Sequence, residues 1–318
     1  MRLAFSCLLR CRLFRLNNCS TMRIPESELI LNADGSVYHL HLLPEQISDT
    51  IITVGDPDRV DRVSRHFDSL EVEVQNREFV THTGYYQGKR ITVLSTGIGT
   101  DNIDIVLNEL DALVNIDLVN RTVNAEKIPL HIIRIGTSGA LQESVPLGSH
   151  LVTEYAIGLD ALMHFYPLVQ TGYETAISNA LQQTLALSYQ PYCVRGSDIL
   201  REQLGFDMVA GHTITCPGFY APQGRALRRE GRIDHLSGRL QQFMLEQPNH
   251  DHFRFTNFEM ETAGYYALGR LLGHEVISLN AIVANRITQQ FADNADLIID
   301  ELILRTLDRL VLTSQEGS

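Results

Sequence analysis

The chain has 318 residues, of which 44% are hydrophobic and 20% are charged. These proportions exclude wholesale disorder, and no stretch approaches the ~20 uninterrupted apolar residues that a membrane helix needs. A formal net charge of −12 argues against a general nucleic-acid binder but leaves room for a local basic pocket. Only Lys89 and Lys127 are lysines, so 24 of the 26 basic residues are arginines, which suit phosphate and planar polar groups.

Residues 1–21 differ in composition from the rest of the chain. They hold four arginines, no acid and three of the five cysteines. Because the arginines interrupt any secretory signal, this segment is interpreted as a disordered tail or a start codon placed too early, with an organellar leader as the alternative. We expect its removal to leave folding and activity intact. Cys193 and Cys216 remain, with neither disulfide nor zinc spacing, which favours the reducing cytoplasm.

Strands and helices are predicted in alternation along the body of the chain. Apolar runs and turn signals predict strands over 50–54, 90–95, 130–135, 149–155 and 276–283, and helices over 57–68, 101–114, 173–187, 259–271 and 293–313. This order indicates an α/β fold with a central, mostly parallel mixed sheet flanked by helices. No linker-like segment follows residue 22, so we predict a single domain over 22–318.

Three predicted strands end in small-residue turns, at Gly55-Asp56-Pro57, Gly97-Ile98-Gly99 and Gly136-Thr137-Ser138-Gly139. Ligands of open α/β sheets collect at the carboxyl ends of strands, where glycine lets backbone N–H groups approach an anion. Each turn alone is an ordinary structural turn. Together, with an arginine close to each, they favour an oxyanion site, whereas dinucleotide, P-loop and nucleophile-elbow motifs do not occur.

Arg134 stands inside an apolar strand, HIIRIG. A buried arginine without a partner costs several kcal/mol, so it has either a carboxylate partner or a ligand anion. Thr137 could add a hydroxyl donor to the same anion.

Two further segments offer recognition groups. The loop over 215–225 combines Phe219, Gln223 and Arg225, an aromatic face, an amide and a guanidinium that match the C=O–NH–C=O edge of uracil, unless it is an ordinary exposed loop. Residues 258–262 read FEMET and open a predicted helix. Their acids either complement the helix dipole or accept hydrogen bonds from vicinal sugar hydroxyls, with Met260 against the sugar. His39 and His41 alternate in VYHLHL and are expected on one face of a strand.

These motifs, in this order, resemble the nucleoside phosphorylase family and, within it, the uridine phosphorylases. The resemblance covers residues 30–313 and rests on eight motifs: VYHLHL, VGDPDRV, NREF, STGIGTDN, RIGTSGAL, GFYAPQGR, FEMETAG and IVANR. Each is modest alone, but eight in register are specific.

The resemblance implies a role for each matching residue. It implies a phosphate site of Gly55, Arg59, Arg134 and Thr137, with Arg77 contributed by a neighbouring subunit; a pyrimidine site of Phe219, Gln223 and Arg225; and a ribose site of Glu259, Met260 and Glu261, with His39 from the neighbour and Tyr38 beside it. Arg134, Gln223, Arg225 and Glu261 would be the catalytic residues. Some relatives bind a monovalent cation such as K⁺ through the residue matching Glu78, but Asn102 replaces an expected hydroxyl residue here.

The implied reaction converts uridine and phosphate reversibly to uracil and ribose 1-phosphate, with no cofactor and with phosphate as co-substrate, in pyrimidine salvage. The resemblance also implies a dimer or a hexamer with sites shared between subunits, and no nucleic-acid or membrane partners. Purine-handling relatives carry an Asp where this chain has Ala284-Asn285-Arg286, which favours a pyrimidine, and Arg286 is expected to brace the base-recognition loop. The alternatives are a purine nucleoside phosphorylase, a nucleosidase that uses water, and a non-catalytic nucleoside or phosphate sensor.

Overall fold

The computed structural model describes residues 22–246 and 252–315. The strands are β1 Thr50–Val54, β2 Ser69–Asn76, β3 Phe79–Tyr86, β4 Lys89–Ser95, β5 Ile116–Asp117, β6 Thr122–Val123, β7 His131–Ala140, β8 His150–Gly158, β9 Tyr192–Arg195, β10 Val209–Thr215, β11 Leu245–Glu246, β12 His252–Phe253, β13 Asn257–Glu259, β14 Glu275–Asn285 and β15 Gln290–Phe291. The α-helices are α1 Asp58–Ser64, α2 Thr100–Asn115, α3 Gly172–Leu185, α4 Asp198–Leu204, α5 Leu236–Gln241, α6 Thr262–Leu272 and α7 Ala295–Gln315, and short 3₁₀ turns cover Pro44–Gln46, Leu162–His164 and Ala221–Gln223.

Eleven strands form one mixed sheet. Its order is β15-β14-β8-β10-β13-β7-β1-β4-β3-β2, with β9 paired to β8. Strand β14 also pairs with β7, so β7, β14, β8, β10 and β13 close into a ring. Strand β1 runs parallel to β4 and β7, and β7 runs parallel to β14. The carboxyl ends of these four strands therefore meet at one edge of the sheet. The predicted α/β fold with a central mixed sheet is confirmed.

Burial of apolar residues explains the helices that cover this sheet. Strand β1 is buried at all five positions, as expected of a central parallel strand. Helix α2 buries Ile103, Val106, Leu107, Leu110 and Leu113 along one stripe and packs against α6. At roughly 1.5–3 kcal/mol for each fully buried large aliphatic side chain, this stripe is a main contribution to the packing of α2.

The third small-residue segment is not a turn. Strand β7 continues through Gly136-Thr137-Ser138-Gly139 to Ala140, because β14 pairs with it along this whole length and β13 pairs with its end. Glycine and other small residues indicate a turn only where the backbone does not pair with a neighbouring strand. The prediction that the strand ends at residue 135 was therefore wrong.

Two other local predictions were also wrong. His39 and His41 lie in a turn, with His41 at a φ of 56°, and their imidazoles contact different acids, Glu109 and Asp34. The sheet-like alternation of VYHLHL reflects the buried Val37, Leu40 and Leu42 around this turn. The predicted helix over 259–271 begins only at Thr262, because residues up to Glu259 pair as β13 with β10.

Within the described residues, no helix combines the length and the apolar character required to cross a bilayer. Residues 1–21, for which a disordered tail or a leader was predicted, lie outside the described residues.

Candidate active site

A cluster of one arginine and two carboxylates lies inside the strand ring. Arg134 is only 7% exposed, and its Nη2 lies 2.6 Å from Glu261 Oε2 and 3.0 Å from Glu259 Oε2. Its Nη1 donates to Ser278 Oγ at 3.2 Å and to Asn280 Oδ1 at 3.1 Å. The sequence left open whether Arg134 pairs with a carboxylate or with a ligand anion. In the structure it pairs with two carboxylates.

Gly136 makes room for this guanidinium. A Cβ at residue 136 would overlap the guanidinium of Arg134, which folds back across the strand two residues further on. Because the same strand supplies both residues, the side chain of Arg134 can point along the ring interior only where position 136 has no side chain.

The two carboxylates differ in how many partners they already have. Glu259 accepts from Thr215 Oγ1 and from the N–H groups of Glu261 and Thr262, both at 2.8 Å, in addition to Arg134. It thereby satisfies the orphan N–H groups at the start of α6. Within the part of the chain that the structure describes, Glu261 accepts only the N–H of Gly99, at 2.9 Å, besides Arg134. Glu261 is therefore the carboxylate with acceptor capacity left for a ligand hydroxyl.

Mutual charge shifts the ionisation of this cluster. Burial alone would lower the pKa of Arg134, but Glu259 and Glu261 raise it above its ordinary value. Burial raises the pKa of Glu261, and the neighbouring Glu259 adds to this, although Arg134 opposes it. One guanidinium between two carboxylates leaves a net negative charge, so any anion bound here needs a further cation.

Arg59 supplies such a cation. It lies in α1, directly after the turn at Gly55, and donates from Nη1 to the carbonyl of Ile135 at 3.4 Å. Its Nε is buried without a hydrogen-bond partner among the described residues. Burial lowers the pKa of Arg59, Asp56 counteracts this, and the charge of Arg134 lowers it further. The contact with Ile135 brings Arg59 to β7 one residue beyond Arg134, and Thr137 is half-buried on the same strand.

The loop that follows β10 carries the predicted base-binding residues. Gln223 is 4% exposed and its Oε1 accepts from Arg225 Nη1 at 2.5 Å. Arg225 also donates to the carbonyl of Phe219 at 2.6 Å and lies over the Phe219 ring, 3.7 Å from its centroid. A cavity of about 500 Å³ opens beside Arg225 and extends to Ser237. Phe219 itself is half exposed, at 50%.

A second arginine stands at this end of the site. The N–H of Arg286 donates to the carbonyl of Ala140 at 2.9 Å, while its Nη1 is buried with no partner among the residues described. Burial lowers the pKa of Arg225 to about 10, and the charge of Arg286 contributes. The base end therefore holds two guanidinium groups, and neither forms an ion pair within the described residues.

Cys216 and Asp160 are two further buried titratable groups. The N–H of Cys216 donates to the carbonyl of Glu259 at 2.9 Å, and burial raises the pKa of its thiol. Asp160 follows β8 and accepts from Tyr192 Oη at 2.7 Å and from the N–H of Leu162 at 2.9 Å. Burial raises the pKa of Asp160, and these hydrogen bonds oppose the shift.

His39 and Arg77 lie together, away from this cluster. Arg77 is exposed at the turn between β2 and β3 and its Cζ is 5.6 Å from the centroid of the Tyr38 ring, which stacks edge-on against His39. Asn76 Nδ2 donates to the carbonyl of His39 at 2.7 Å. The two residues expected from a neighbouring subunit thus form one surface group, with Tyr38 between them.

The structure also places four more positions that the sequence singled out. Asn285 donates to the carbonyls of Gln142 and Val145 and accepts from the N–H groups of Ile287 and Thr288, so its amide holds the loop after β14. Glu78 and Asn102 flank Gly97 closely. Met260 is half-buried between the two glutamates.

Sequence reasoning missed Ser278 and Asn280, which hold Arg134. A signal was available: they are polar residues two apart within the buried run VISLNAIV, and so point to one face of the strand. It also missed Glu109, whose contact with His39 depends on tertiary packing across 70 residues.

Comparison with known proteins assigns the family. Residues 49–312 match the model of the Phosphorylase superfamily. A uridine phosphorylase of Thermococcus kodakarensis is 30% identical over 81% of this chain and 80% of its own length, and one of Escherichia coli is 29% identical over 82% and 90%.

A solved structure gives the same result. The nucleoside phosphorylase of Trypanosoma brucei, which is described as showing uridine phosphorylase activity, superposes with a TM-score of 0.82 at 29% identity and covers 89% of this chain and 99% of its own. The family expected from the eight motifs is thereby confirmed, and the chain belongs to the phosphorylase superfamily, among the nucleoside phosphorylases.

Proposed function

We propose that the protein is a uridine phosphorylase, a pentosyltransferase that converts uridine and phosphate reversibly to uracil and ribose 1-phosphate. The observation that carries this proposal is the base end of the site, where the buried amide of Gln223 binds Arg225, and where neither Arg225 nor Arg286 has a carboxylate partner among the described residues. Uracil offers two carbonyl acceptors and one N–H donor, which match guanidinium donors and an amide oxygen. The uridine phosphorylases among the relatives support the same substrate.

Charge development explains how this arrangement accelerates the reaction. Breaking the N-glycosidic bond leaves negative charge on the base and positive charge on the sugar. Arg225 and Gln223 are preorganised donors for the uracil anion, and such electrostatic stabilisation is often the largest catalytic contribution. Phosphate, the co-substrate, is both nucleophile and counter-charge for the sugar, and holding it in place gives it a high effective concentration.

The phosphate site in this proposal comprises Gly55, Arg59, Arg134 and Thr137, with Arg77 of a second copy. Because Glu259 and Glu261 already balance Arg134, the partnerless Nε of Arg59 and the exposed guanidinium of Arg77 are the cations left for a dianion. Glu261 would accept from the 2′ and 3′ hydroxyls of ribose, with Glu259 and Met260 beside it.

The position of His39 supports sites shared between subunits. His39 is bound to Glu109, ten residues along α2 from Gly99, whose N–H holds Glu261. At 1.5 Å per residue this is about 15 Å of helix, which places the imidazole too far from Glu261 of its own chain. We therefore propose that His39 and Arg77 serve the site of a second copy, in a dimer or a hexamer.

The finer assignments belong to the same proposal. The buried free thiols of Cys193 and Cys216 suit a cytoplasmic enzyme of pyrimidine salvage. The chemistry requires no cofactor, and Glu78 beside Asn102 is the place where a monovalent cation such as K⁺ would bind between subunits.

Turnover of uridine with and without phosphate tests the proposal. We expect uracil to form only with phosphate, and uridine to be cleaved at least ~10³-fold better than inosine, since sites built on polar contacts reject ligands that leave them unpaired. Cytidine should be poor, because its amino group puts a donor where uracil has O4. Comparable kcat/KM for inosine would identify a purine enzyme, phosphate-independent turnover a nucleosidase, and binding without turnover a sensor.

Subunit sharing has its own test. Arg77→Ala and Arg134→Ala proteins, each inactive alone, should regain activity when mixed under subunit exchange, because a mixed pair contains one intact site. An absence of recovery, with exchange verified by mass, would contradict the shared site.

A further inference from the structure

The His39 imidazole is fixed by a carboxylate that no part of the proposed mechanism uses. Glu109 Oε1 lies 2.6 Å from His39 Nδ1. The same carboxylate accepts the N–H of His39 at 3.0 Å and the N–H of Leu40, through Oε2, at 2.8 Å. Three donors from two consecutive residues therefore converge on one side chain.

This geometry determines which ring nitrogen carries the proton. A carboxylate accepts hydrogen bonds and does not donate them, so Nδ1 must be the donor in this contact. In a histidine, the hydrogen bond made by one ring nitrogen sets the state of the other. Nε2 of neutral His39 is then an acceptor that no described residue hydrogen-bonds, on a side chain that is 27% exposed.

The neighbouring residues hold the turn but leave this edge open. Asn76 binds the carbonyl of His39 and the Tyr38 ring stacks edge-on against the imidazole, with centroids 4.8 Å apart. Among the described residues, Glu109 is the only side chain that hydrogen-bonds a ring nitrogen of His39. An acceptor nitrogen without a partner among the described residues, on a partly exposed ring, suits a hydroxyl donor on a second molecule.

We propose that Glu109 is a positioning residue that orients His39, with Nδ1–H on the carboxylate and Nε2 accepting from the 5′-hydroxyl of a nucleoside bound to a second copy of the chain. This inference rests on the proposed function, since it assigns the recognition of one hydroxyl of that nucleoside. Glu109 acts through His39 and never touches the substrate.

The test compares uridine with 5′-deoxyuridine, which lacks only that hydroxyl. We expect Glu109→Gln to lower kcat/KM for uridine about tenfold, chiefly through KM, because it removes binding that is equal in the ground and transition states. The value for 5′-deoxyuridine should stay within about twofold. His39→Ala should show the same pattern. In the double variant, kcat/KM for uridine should fall no further than in the more damaging single variant, because the two residues act as a unit.

Asp104→Asn is the matched control. Asp104 is a carboxylate on the same helix whose partners are Tyr166 and Asn108, not His39. It should leave the ratio of the two substrates unchanged. An equal loss on both substrates in Glu109→Gln would reveal a merely structural role and overturn the proposal, as would an unmodified protein that cleaves uridine and 5′-deoxyuridine equally well.

A spectroscopic measurement covers the case in which Glu109→Gln fails to fold. In the unmodified protein, ¹⁵N resonances of the imidazole, assigned with His39→Gln, should show the Nδ1-protonated tautomer for neutral His39. The Nε2-protonated tautomer would overturn the proposal. This readout needs no turnover, so it separates failure of the inference from failure of the proposed uridine phosphorolysis, which uridine and phosphate alone would reveal.

Discussion

The two ends of the candidate site handle buried charge in opposite ways. At the ribose end, Arg134 lies between Glu259 and Glu261, and nearly every polar atom already has a protein partner. At the base end, neither Arg225 nor Arg286 forms an ion pair within the described residues. Arg225 donates to Gln223 and to the carbonyl of Phe219, and Arg286 Nη1 has no partner among the described residues. One end is a network of ion pairs, and the other holds two cations without a paired carboxylate.

The two ends should therefore differ in how much they contribute to the stability of the fold. Removing one member of a satisfied buried network leaves the others uncompensated, so the ribose end should contribute to stability as well as catalysis. Removing a cation that has no paired carboxylate relieves a desolvation cost, so the base end should contribute to substrate binding and catalysis but not to stability. Substitutions at the two ends should therefore differ in whether stability falls with activity.

The largest effect is expected for Arg134→Ala. It leaves two carboxylates buried without their arginine partner, at a cost of roughly 3–5 kcal/mol, and it removes a group from the proposed phosphate site. We expect kcat/KM for uridine to fall by about two to four decades and the unfolding midpoint to fall as well. A tenfold loss or less would mean that Arg134 has no part in the reaction.

Arg270→Ala is the control for that experiment. Arg270 pairs with the buried Glu174 at 2.6 and 2.9 Å, outside the site. It should lower the unfolding midpoint, as Arg134→Ala does, while kcat/KM of the folded protein stays within about threefold.

Gln223→Ala should give the next largest effect. It removes the amide that we propose recognises the uracil edge, and it leaves Arg225 without its Oε1 partner. We expect kcat/KM for uridine to fall roughly 10- to 100-fold, narrowing the preference over inosine, since one good polar contact accounts for about 1–3 kcal/mol. The KM for phosphate should change little, and a parallel rise in that KM would count against a base-specific role.

Arg286→Met tests the base end from the other side. We expect kcat/KM for uridine to fall about tenfold while the unfolding midpoint stays level or rises, because the substitution removes a buried cation that lacks a full set of partners. If the unfolding midpoint of Arg286→Met fell as far as that of Arg134→Ala, the two ends would not differ in their contribution to stability.

The smallest effect concerns pH. Burial holds the pKa of Asp160 above its ordinary value of 3.8, so the folded state takes up the proton more readily than the unfolded state. The charged form therefore costs stability at neutral pH, and this cost disappears as the pH falls through the folded pKa. Asp160→Asn should raise the unfolding midpoint by about 1–3 °C at pH 8, with the gain shrinking towards pH 4. A gain that is independent of pH would assign the effect to packing.

The sequence predicted strongly patterned elements well. The strand over 50–54 and the helical stripe from Ile103 to Leu113 carry their signal in local apolar periodicity, and both are confirmed. The family was likewise predicted correctly, because eight short motifs occur in the expected order. For the site, Arg134, Glu259 and Glu261 do come together, as do Gln223 and Arg225.

What could not be predicted depends on distant partners. Residues 136–139 look like a turn until β14 pairs with them, and FEMET looks like a helix start until β10 pairs with Glu259. The choice of partner for Arg134 was open for the same reason, since Glu261 is 127 residues away in the chain. The roles of single residues towards phosphate, uracil and ribose remain predictions that the substitutions above test.

Gly136 has a consequence for how variants of this protein should be interpreted. It contacts no predicted ligand and lies in an ordinary strand position, so alanine there would pass as a conservative change. Yet one added methyl group would occupy the space of the Arg134 guanidinium and force it off Glu259 and Glu261. A harmless-looking Gly136→Ala allele would thus reproduce the loss of a charged active-site residue, and a screen that scores only chemical similarity would overlook it.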